Sequence, residues 1–479
     1  MKSNQSLKGV NLMYNHENQY RCTIIRGKSQ KEMDDLLPAY SKIIDEICPC
    51  CKDDFALLFN EKLKEYVPNG IKKTLDNHRT EIAGKLFGMY YLSEDGFVYV
   101  SERTNKFLAD EDQPAFFKDM CFKMQFPNGM DKSNKIIEKI DAGISINQYP
   151  FLLKVLMLAR DNDIALTKDD IAYYILNSLD VLTRRATSLE VIEQIKHDKS
   201  NDIVRKVIAY GKAASYTMQH INEQINYLEL ANLLIVDDKT VNLNMNEITA
   251  INIFIEYFNS NPEFDFDKYD LSLSEHRKQM KFDWDFYFSK LSSHASKFAT
   301  SFNALCISEA VKPSEAKERI NTTAIGDEGE EYVLAFEKER VRAFDPRLVG
   351  KVIHLGKTKG LGYDIQSVVA EDGDFAEFVK YIEVKATKRV TEPDITDNSW
   401  FDTINITRNE WVAACQHKES YWIFRVYFVR DNVIMYVLRN LYQKQEDGIL
   451  KVVPMTYRVD FNNLAVDPVF TEVKETDNV

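Results

Sequence analysis

No run of roughly eighteen apolar residues occurs in this 479-residue chain, so no membrane-spanning helix is expected. The opening residues, Met1-Lys2-Ser3-Asn4-Gln5, lack the apolar core of a secretory signal, which points to the cytoplasm. Cysteine is scarce: seven residues, scattered except for Cys48, Cys50 and Cys51. A structural zinc site takes four ligands, usually as two spaced pairs. Here no second pair follows, His78 is isolated and Cys22 stands alone, so the cluster reads as reduced, partly buried thiols. A phosphate-binding Walker loop is missing too. Gly356-Lys357-Thr358 ends like one, but Gly350 lies one residue too far upstream and no helical pattern follows. Any nucleotide motor therefore belongs to another subunit. Nor is there an excess of positive charge. The net charge of −13 argues against an indiscriminate nucleic-acid binder, while leaving room for a local basic face on phosphates.

What remains is enough for real cores: 44% hydrophobic and 12% aromatic residues, in a length that suits about two to four domains. The N-terminal two thirds reads as mainly helical. Residues 31–66 carry helical periodicity, and Ile82–Phe87 gives a short helical stretch. Gly88–Leu92 and Phe97–Val100 flank the turn Ser93-Glu94-Asp95-Gly96, as in a hairpin. The profile recurs without a sequence repeat. Asn147–Arg160 includes an apolar helix, and Thr167-Lys168-Asp169-Asp170 resembles a capping box ahead of a helix Ile171–Ser178. A long helical pattern over Arg205–Leu230 precedes strands Leu233–Val236 and Thr240–Leu243 around Asp237-Asp238-Lys239. Helix followed by a short hairpin is the profile of a winged helix, which lays one helix in the major groove. Such modules also dock proteins, so a scaffold role stays open. Basic stretches at Lys62–Lys85, Arg184–Lys212 and Arg277–Lys297 suit phosphate contact or an ordinary solvated helix face equally. Residues 246–300 are helical and aromatic, with a loop at 263–270, and Lys312, Pro313 and Ser314 mark a hinge at about 300–322.

The C-terminal third holds the chemistry. Residues 326–341 read as a helix in which Glu330, Val333, Leu334 and Glu337 share one face. Val349–Leu355 reads as a strand, 356–362 as a Gly-rich turn, Tyr363–Val369 as a strand and Ala370–Ala376 as a hairpin loop. Val379–Thr387 is the third strand, Thr407-Arg408-Asn409-Glu410 a capping box for a helix 408–418, and Tyr421–Val429 a buried strand. A further strand is expected around Val452–Val459, ahead of a polar tail. Asp364 thus lies on one strand, and Glu383, nineteen residues on, lies with Lys385 on the next. Alternate strand residues share a face, so Glu383 and Lys385 point together while Ile382 and Val384 face the core. Two carboxylates and an ammonium at one sheet edge suit a hard divalent cation beside a phosphate. The bland alternative is a solvated Glu383–Lys385 pair with a surface Asp364.

Four segments, Gly326-Asp327-Glu328-Gly329-Glu330, GYDI at 362–365, IEVKAT at 382–387 and Ile406-Thr407-Arg408-Asn409-Glu410-Trp411, resemble the PD-(D/E)xK nuclease superfamily. More narrowly they resemble the restriction-endonuclease-like domain at the C-terminus of plant NO VEIN proteins, over roughly residues 320–440. The resemblance implies an αβββαβ core. It also implies a site in which Asp364, Glu383 and the Val384 carbonyl hold Mg²⁺, for which Mn²⁺ can substitute. Lys385 would orient or activate the attacking water and steady the phosphate, and Glu330 would be an outer acid holding a metal-bound water or second ion. Trp411 reads as core and Thr407 as a cap. The N-terminal region resembles the recognition part of AlwI-type restriction enzymes. Phe122-Lys123-Met124-Gln125-Phe126-Pro127-Asn128, the helix after Tyr149-Pro150 and the capped helix at 167 carry that likeness.

The expected organisation is multidomain. A helical and winged-helix-like module spans 1–145, a second 146–245, a helical linker 246–319 and an α/β nuclease domain 320–479. The leading function is a Mg²⁺-dependent restriction-type endonuclease on double-stranded DNA. Alternatives are a modification-dependent or partner-licensed nuclease, served by a co-encoded methyltransferase or ATPase, and a non-catalytic DNA-binding scaffold. Cutting both strands most simply uses two sites, so a homodimer is expected.

Overall fold

The structure, a computed structural model, describes residues 15–207, 212–237, 239–300, 324–356, 361–370, 378–397, 400–430 and 432–452, without the side chains of 212–215 and 324. The hinge around Lys312, Pro313 and Ser314, residues 371–377 of the expected hairpin loop and the Val452–Val459 strand beyond its first residue lie outside them. No helix among the described residues is long and apolar enough to cross a membrane.

Residues 15–300 form a mainly helical body around one continuous core. Its long helices, Gln30–Ile47, Gln148–Asp161 and Lys212–Leu230, follow the apolar spacing of the sequence. Ser29 and Glu32 close a capping box at the first, and Thr167 and Asp170 close the one expected at the short helix Lys168–Ile171. Strands β2 (Tyr90–Leu92) and β3 (Phe97–Val100) pair antiparallel across the Asp-Gly turn. The two-residue strand β1 (Cys50–Cys51) joins β3 on its other side. The cysteine cluster therefore serves a sheet edge. Cys48, Cys50 and Cys51 are free thiols, and burial raises those of Cys48 and Cys50. Strands β4 (Leu234–Val236) and β5 (Val241–Leu243) make the second hairpin.

Two helical expectations need correction here. Of the Arg205–Leu230 pattern, Lys212–Leu230 is helical and residues 205–207 are not, because Asp198 draws Arg205 into an ion pair and caps the preceding chain through Ile203. The Ile171–Ser178 helix turns into a π-helical segment, Ala172–Leu176, after one α turn, and His78–Leu86 is π-helical as well.

The C-terminal part is a five-stranded sheet in the order β10-β9-β8-β7-β6. Its strands are β6 (Ile353–His354), β7 (Ile365–Val368), β8 (Val379–Lys388), β9 (Tyr421–Phe428) and β10 (Val433–Arg439). Strands β8 and β9 are parallel and the other pairs antiparallel. The helix Ala324–Phe344 covers one face, burying Val333 and Val341 against Ile365, Ile382, Val384 and Phe424. Gly329 lets it approach closely: a Cβ there would lie 2.6 Å from the Cβ of Ala386. Glu337 turns inward from this helix to Lys380 at 2.8 Å and Ser367 at 2.7 Å, clamping helix to sheet. The helix Arg408–His417 covers the other face, where Ala413, Ala414, Tyr421 and Ile423 are buried.

The expected Val349–Leu355 strand shrinks to Ile353–His354. Pro346 fixes φ and the Asp345 side chain accepts the Arg347 N–H at 3.0 Å, which starts a 3₁₀ turn over Pro346–Lys351 instead. Strand β10 and the helix Leu441–Glu446 were not foreseen. The far end of β8 is fastened to the helical body. Thr387 Oγ1 donates to the Glu111 carbonyl at 3.1 Å, and Lys388 Nζ to that of Thr300 at 2.6 Å. Arg389 pairs with Asp35 at 2.7 Å.

Candidate active site

Asp364 lies one step before β7 rather than within it, but its backbone keeps the ladder. Its N–H donates to the Ile382 carbonyl at 2.8 Å and its carbonyl accepts from Leu355 at 2.6 Å. The register that pairs Ile365 with Ile382, continued one residue, sets Asp364 opposite Glu383. Gly362 makes the approach possible: its φ is +76°, and a Cβ there would lie 2.6 Å from the Asn409 carbonyl oxygen. Asp364 Oδ2 accepts the backbone N–H of Val384 at 2.8 Å, while the Val384 side chain stays in the core.

Glu383 and Lys385 do share a face of β8, the one covered by the capped helix. Lys385 Nζ lies 2.7 Å from Glu383 Oε1 and 2.8 Å from Glu410 Oε2. Glu410 is the third helical residue after the cap Thr407, and the same Oε2 also accepts the Thr407 N–H at 3.0 Å. Glu330 leans inward, but His354 takes it: Nε2 and Oε2 are 2.5 Å apart. Four expected residues thus gather around the start of β7 and the middle of β8, each already engaged.

Electrostatics sets this cluster apart. Burial pushes the Asp364 acid up to about 6, against the Val384 N–H, with the charges of Glu330 and Glu410 adding to the rise. Burial also raises Glu383, more than the Lys385 ammonium offsets, with Asp364 and Glu410 contributing. Burial opposes the charge of Lys385, yet Glu383 and Glu410 outweigh it and push the ammonium up to about 12. Crowded, desolvated carboxylates are the donor chemistry a hard cation relieves. Among the described residues, however, no three His, Cys, Asp or Glu side chains are gathered closely enough to hold a metal ion. The donor set fits Mg²⁺ in kind, while its members stand committed to Lys385, His354 and Val384.

Sequence reasoning passed over several neighbours. Glu410 carried a signal, its capping position, but not its second partner. His354 had none. Arg425 lies opposite Lys385 across β8 and β9, and binds Asp402 at 2.6 Å and Glu111 at 3.0 Å. Lys42, from the helix Gln30–Ile47, ends nearby with its Nζ buried and without a hydrogen-bond partner. Burial lowers its ammonium to about 8, while Glu111 and Asp402 work to raise it.

Comparison with known proteins fits this division. A family model described as restriction endonuclease BpuJI, N terminal, matches residues 14–285. A model described as protein NO VEIN, C-terminal, matches residues 329–438. A crystal structure of pyrene- and phenanthrene-modified DNA in complex with the BpuJ1 endonuclease binding domain is 55% identical in sequence. That match covers 58% of this chain and 99% of the other, with a TM-score of 0.56. No curated protein matches the chain.

Proposed function

The chain belongs to the family of restriction endonuclease BpuJI, N terminal, through residues 14–285, and from that premise we propose that it is a Mg²⁺-dependent endonuclease of restriction type. The N-terminal part would read double-stranded DNA, as the related binding domain was crystallised on modified DNA. Its paired hairpins are read as winged-helix-like modules, at 1–145 and 146–245, with 246–319 as a helical linker. The remainder, 320–479, is read as a nuclease domain with the αβββαβ core of restriction endonucleases.

One observation carries the catalytic reading: Asp364 and Glu383 face each other on neighbouring strands with Lys385 beside them. Asp364 and Glu383 would hold the ion, with the Val384 carbonyl as a further oxygen and Glu330 as an outer acid. When bound, Mg²⁺ supplies charge neutralisation at the phosphate and a more acidic water. Mn²⁺ would substitute. Lys385 steadies charge on the scissile phosphate, and its tight hold on a proton favours that role over general base.

The test is direct. Purified full-length protein is incubated with mixed duplex DNA and Mg²⁺, beside Asp364→Ala. Cleavage by the unmutated chain alone supports the reading. Failure to cut any duplex, methylated or not, would sink it. A second reading is cleavage licensed by modified DNA or by a co-encoded methyltransferase or ATPase. It is favoured by the prior engagement of Glu330, Glu383 and Lys385, which must be rearranged before a cation binds. Cleavage confined to modified substrate, or to reactions with that partner, separates the two. Two nicks in one duplex also call for two sites, so a homodimer on DNA is proposed, and sedimentation with target DNA tests it.

A further inference from the structure

The catalytic lysine proposed above is held by two carboxylates of different situation. Glu383 sits on the same strand and is itself a proposed ion ligand. Glu410 comes from the opposing helix and lies within the capping box of Arg408–His417. Its Oε2 is fixed by the Thr407 N–H at 3.0 Å and reaches Lys385 Nζ at 2.8 Å. The side chains of Glu410 and Lys385 are 14% and 20% exposed, so water competes weakly for either charge. A carboxylate that turns to a divalent cation gives up most of its attraction for a neighbouring ammonium. Once Glu383 is committed to an ion, Glu410 is the remaining anion in contact with Lys385.

We propose that Glu410 is a positioning residue for Lys385, keeping its ammonium aimed at the scissile phosphate when Glu383 turns to the metal. This rests on the nuclease reading of the site. It assigns the capping box a second task, because a rigid helix start sets where the carboxylate lies and hence where the lysine points.

The cap and the lysine contact can be separated. Gln closes a capping box as Glu does, and in this chain Asp170 closes one with Thr167, so Asp serves as well. Glu410→Gln keeps cap and reach but removes the charge. Glu410→Asp keeps cap and charge but withdraws the carboxylate by about one methylene. Thr407→Ala removes the hydroxyl that accepts the Glu410 N–H and leaves the Lys385 contact. Full-length proteins are compared in Mg²⁺ for kcat, KM and thermal midpoint, and for acylation of Lys385 by an amine-selective reagent read by mass spectrometry. Both Glu410 variants are expected to lose roughly tenfold to a hundredfold in kcat at unchanged KM, with a modestly lowered midpoint because Glu383 still pairs with Lys385. Their Lys385 should acylate several-fold faster, because one charged hydrogen bond no longer ties up Nζ. Thr407→Ala should lower the midpoint and cost far less kcat than either Glu410 variant, because the Thr407 N–H still fixes the Glu410 carboxylate. Acylation is the deciding readout: an unchanged rate in both Glu410 variants overturns the proposal, whatever the cleavage. A loss of kcat in Thr407→Ala equal to that of the Glu410 variants overturns it too. If the unmutated chain cuts nothing, the nuclease reading fails, and the acylation comparison still decides whether Glu410 holds Lys385.

Discussion

Arg425 stands directly across the parallel pair from Lys385, and Glu111, 314 positions earlier in the chain, holds it at 3.0 Å. The helical body thus reaches to within one strand of the proposed catalytic lysine. Arg425 is 4% exposed, so its charge depends on partners, Glu111 and Asp402. Removing one leaves a buried guanidinium half compensated. Glu111→Gln is expected to destabilise the protein by about 1–3 kcal/mol, since Asp402 remains. Urea unfolding measures it. Because Thr387 and Lys388 bind the Glu111 carbonyl, not its carboxylate, the backbone junction should persist. An unchanged midpoint would show that Glu111 adds nothing to the junction.

The raised acids set a pH dependence with a definite sign. In the folded protein Asp364 keeps its proton up to about 6, and Glu383 is raised as well. The unfolded chain releases those protons at lower pH. Their contribution to stability is therefore fully present below the ordinary carboxylate range and is lost as pH rises through the folded values. Without metal, the contribution of this pair to stability should fall from about pH 4 toward pH 7. Asp364→Asn removes one of these charges, so it should be more stable than the unmutated chain at pH 7, by about 1–2 kcal/mol, and cut nothing. Denaturation at pH 5 and pH 7 checks this. A variant less stable at pH 7 than its parent would contradict the desolvation account.

The sequence showed much of this and missed the rest for identifiable reasons. Period-two alternation placed Glu383 and Lys385 on one face, and the cap at Thr407 was visible as a short pattern. Both are local signals. Helix Ala324–Phe344 likewise buries Val333 and Glu337, as its spacing implied. Long-range pairing left no local trace. Nothing in the sequence said that Glu410 would meet Lys385, that His354 would take Glu330, or that Glu111 would reach β9. The overlong start of the strand expected at Val349–Leu355 came from apolar content alone, where Asp345 and Pro346 settled the backbone and left only Ile353–His354 as strand. Strand β10 has intermediate and exposed residues, so burial alternation gave it little signature.

Gly362 gives a test of the turn that delivers Asp364. Its φ of +76° disfavours any side chain, and the Asn409 carbonyl blocks the space a Cβ would fill. Gly362→Ala should destabilise by roughly 1–3 kcal/mol and shift the turn against the capped helix. Cleavage should fall well beyond what stability explains, while binding of duplex DNA, proposed above for the N-terminal part, stays near that of the parent. Gel-shift and cleavage assays on the same preparation separate these effects. Equal losses of binding and cutting would mean the turn does not act locally on Asp364.

Cation binding should release protons. Near neutral pH the buried acids together hold a proton, chiefly on Glu383, that an unperturbed carboxylate would have lost, with burial the chief cause and mutual repulsion adding to it. A divalent ion needs them ionised, so each binding event must expel what they hold. Calorimetric titration of Mg²⁺ near pH 7, in buffers of different ionisation enthalpy, should give apparent heats that differ by about one proton per ion. Affinity should strengthen as pH rises from about 6 to 8, by no more than roughly tenfold per unit for each proton released. Asp364→Ala should abolish the heat. Heats independent of buffer, with binding intact, would mean that the ion sits elsewhere or that these carboxylates are already ionised, and either outcome would remove the electrostatic reason for placing the ion between Asp364 and Glu383.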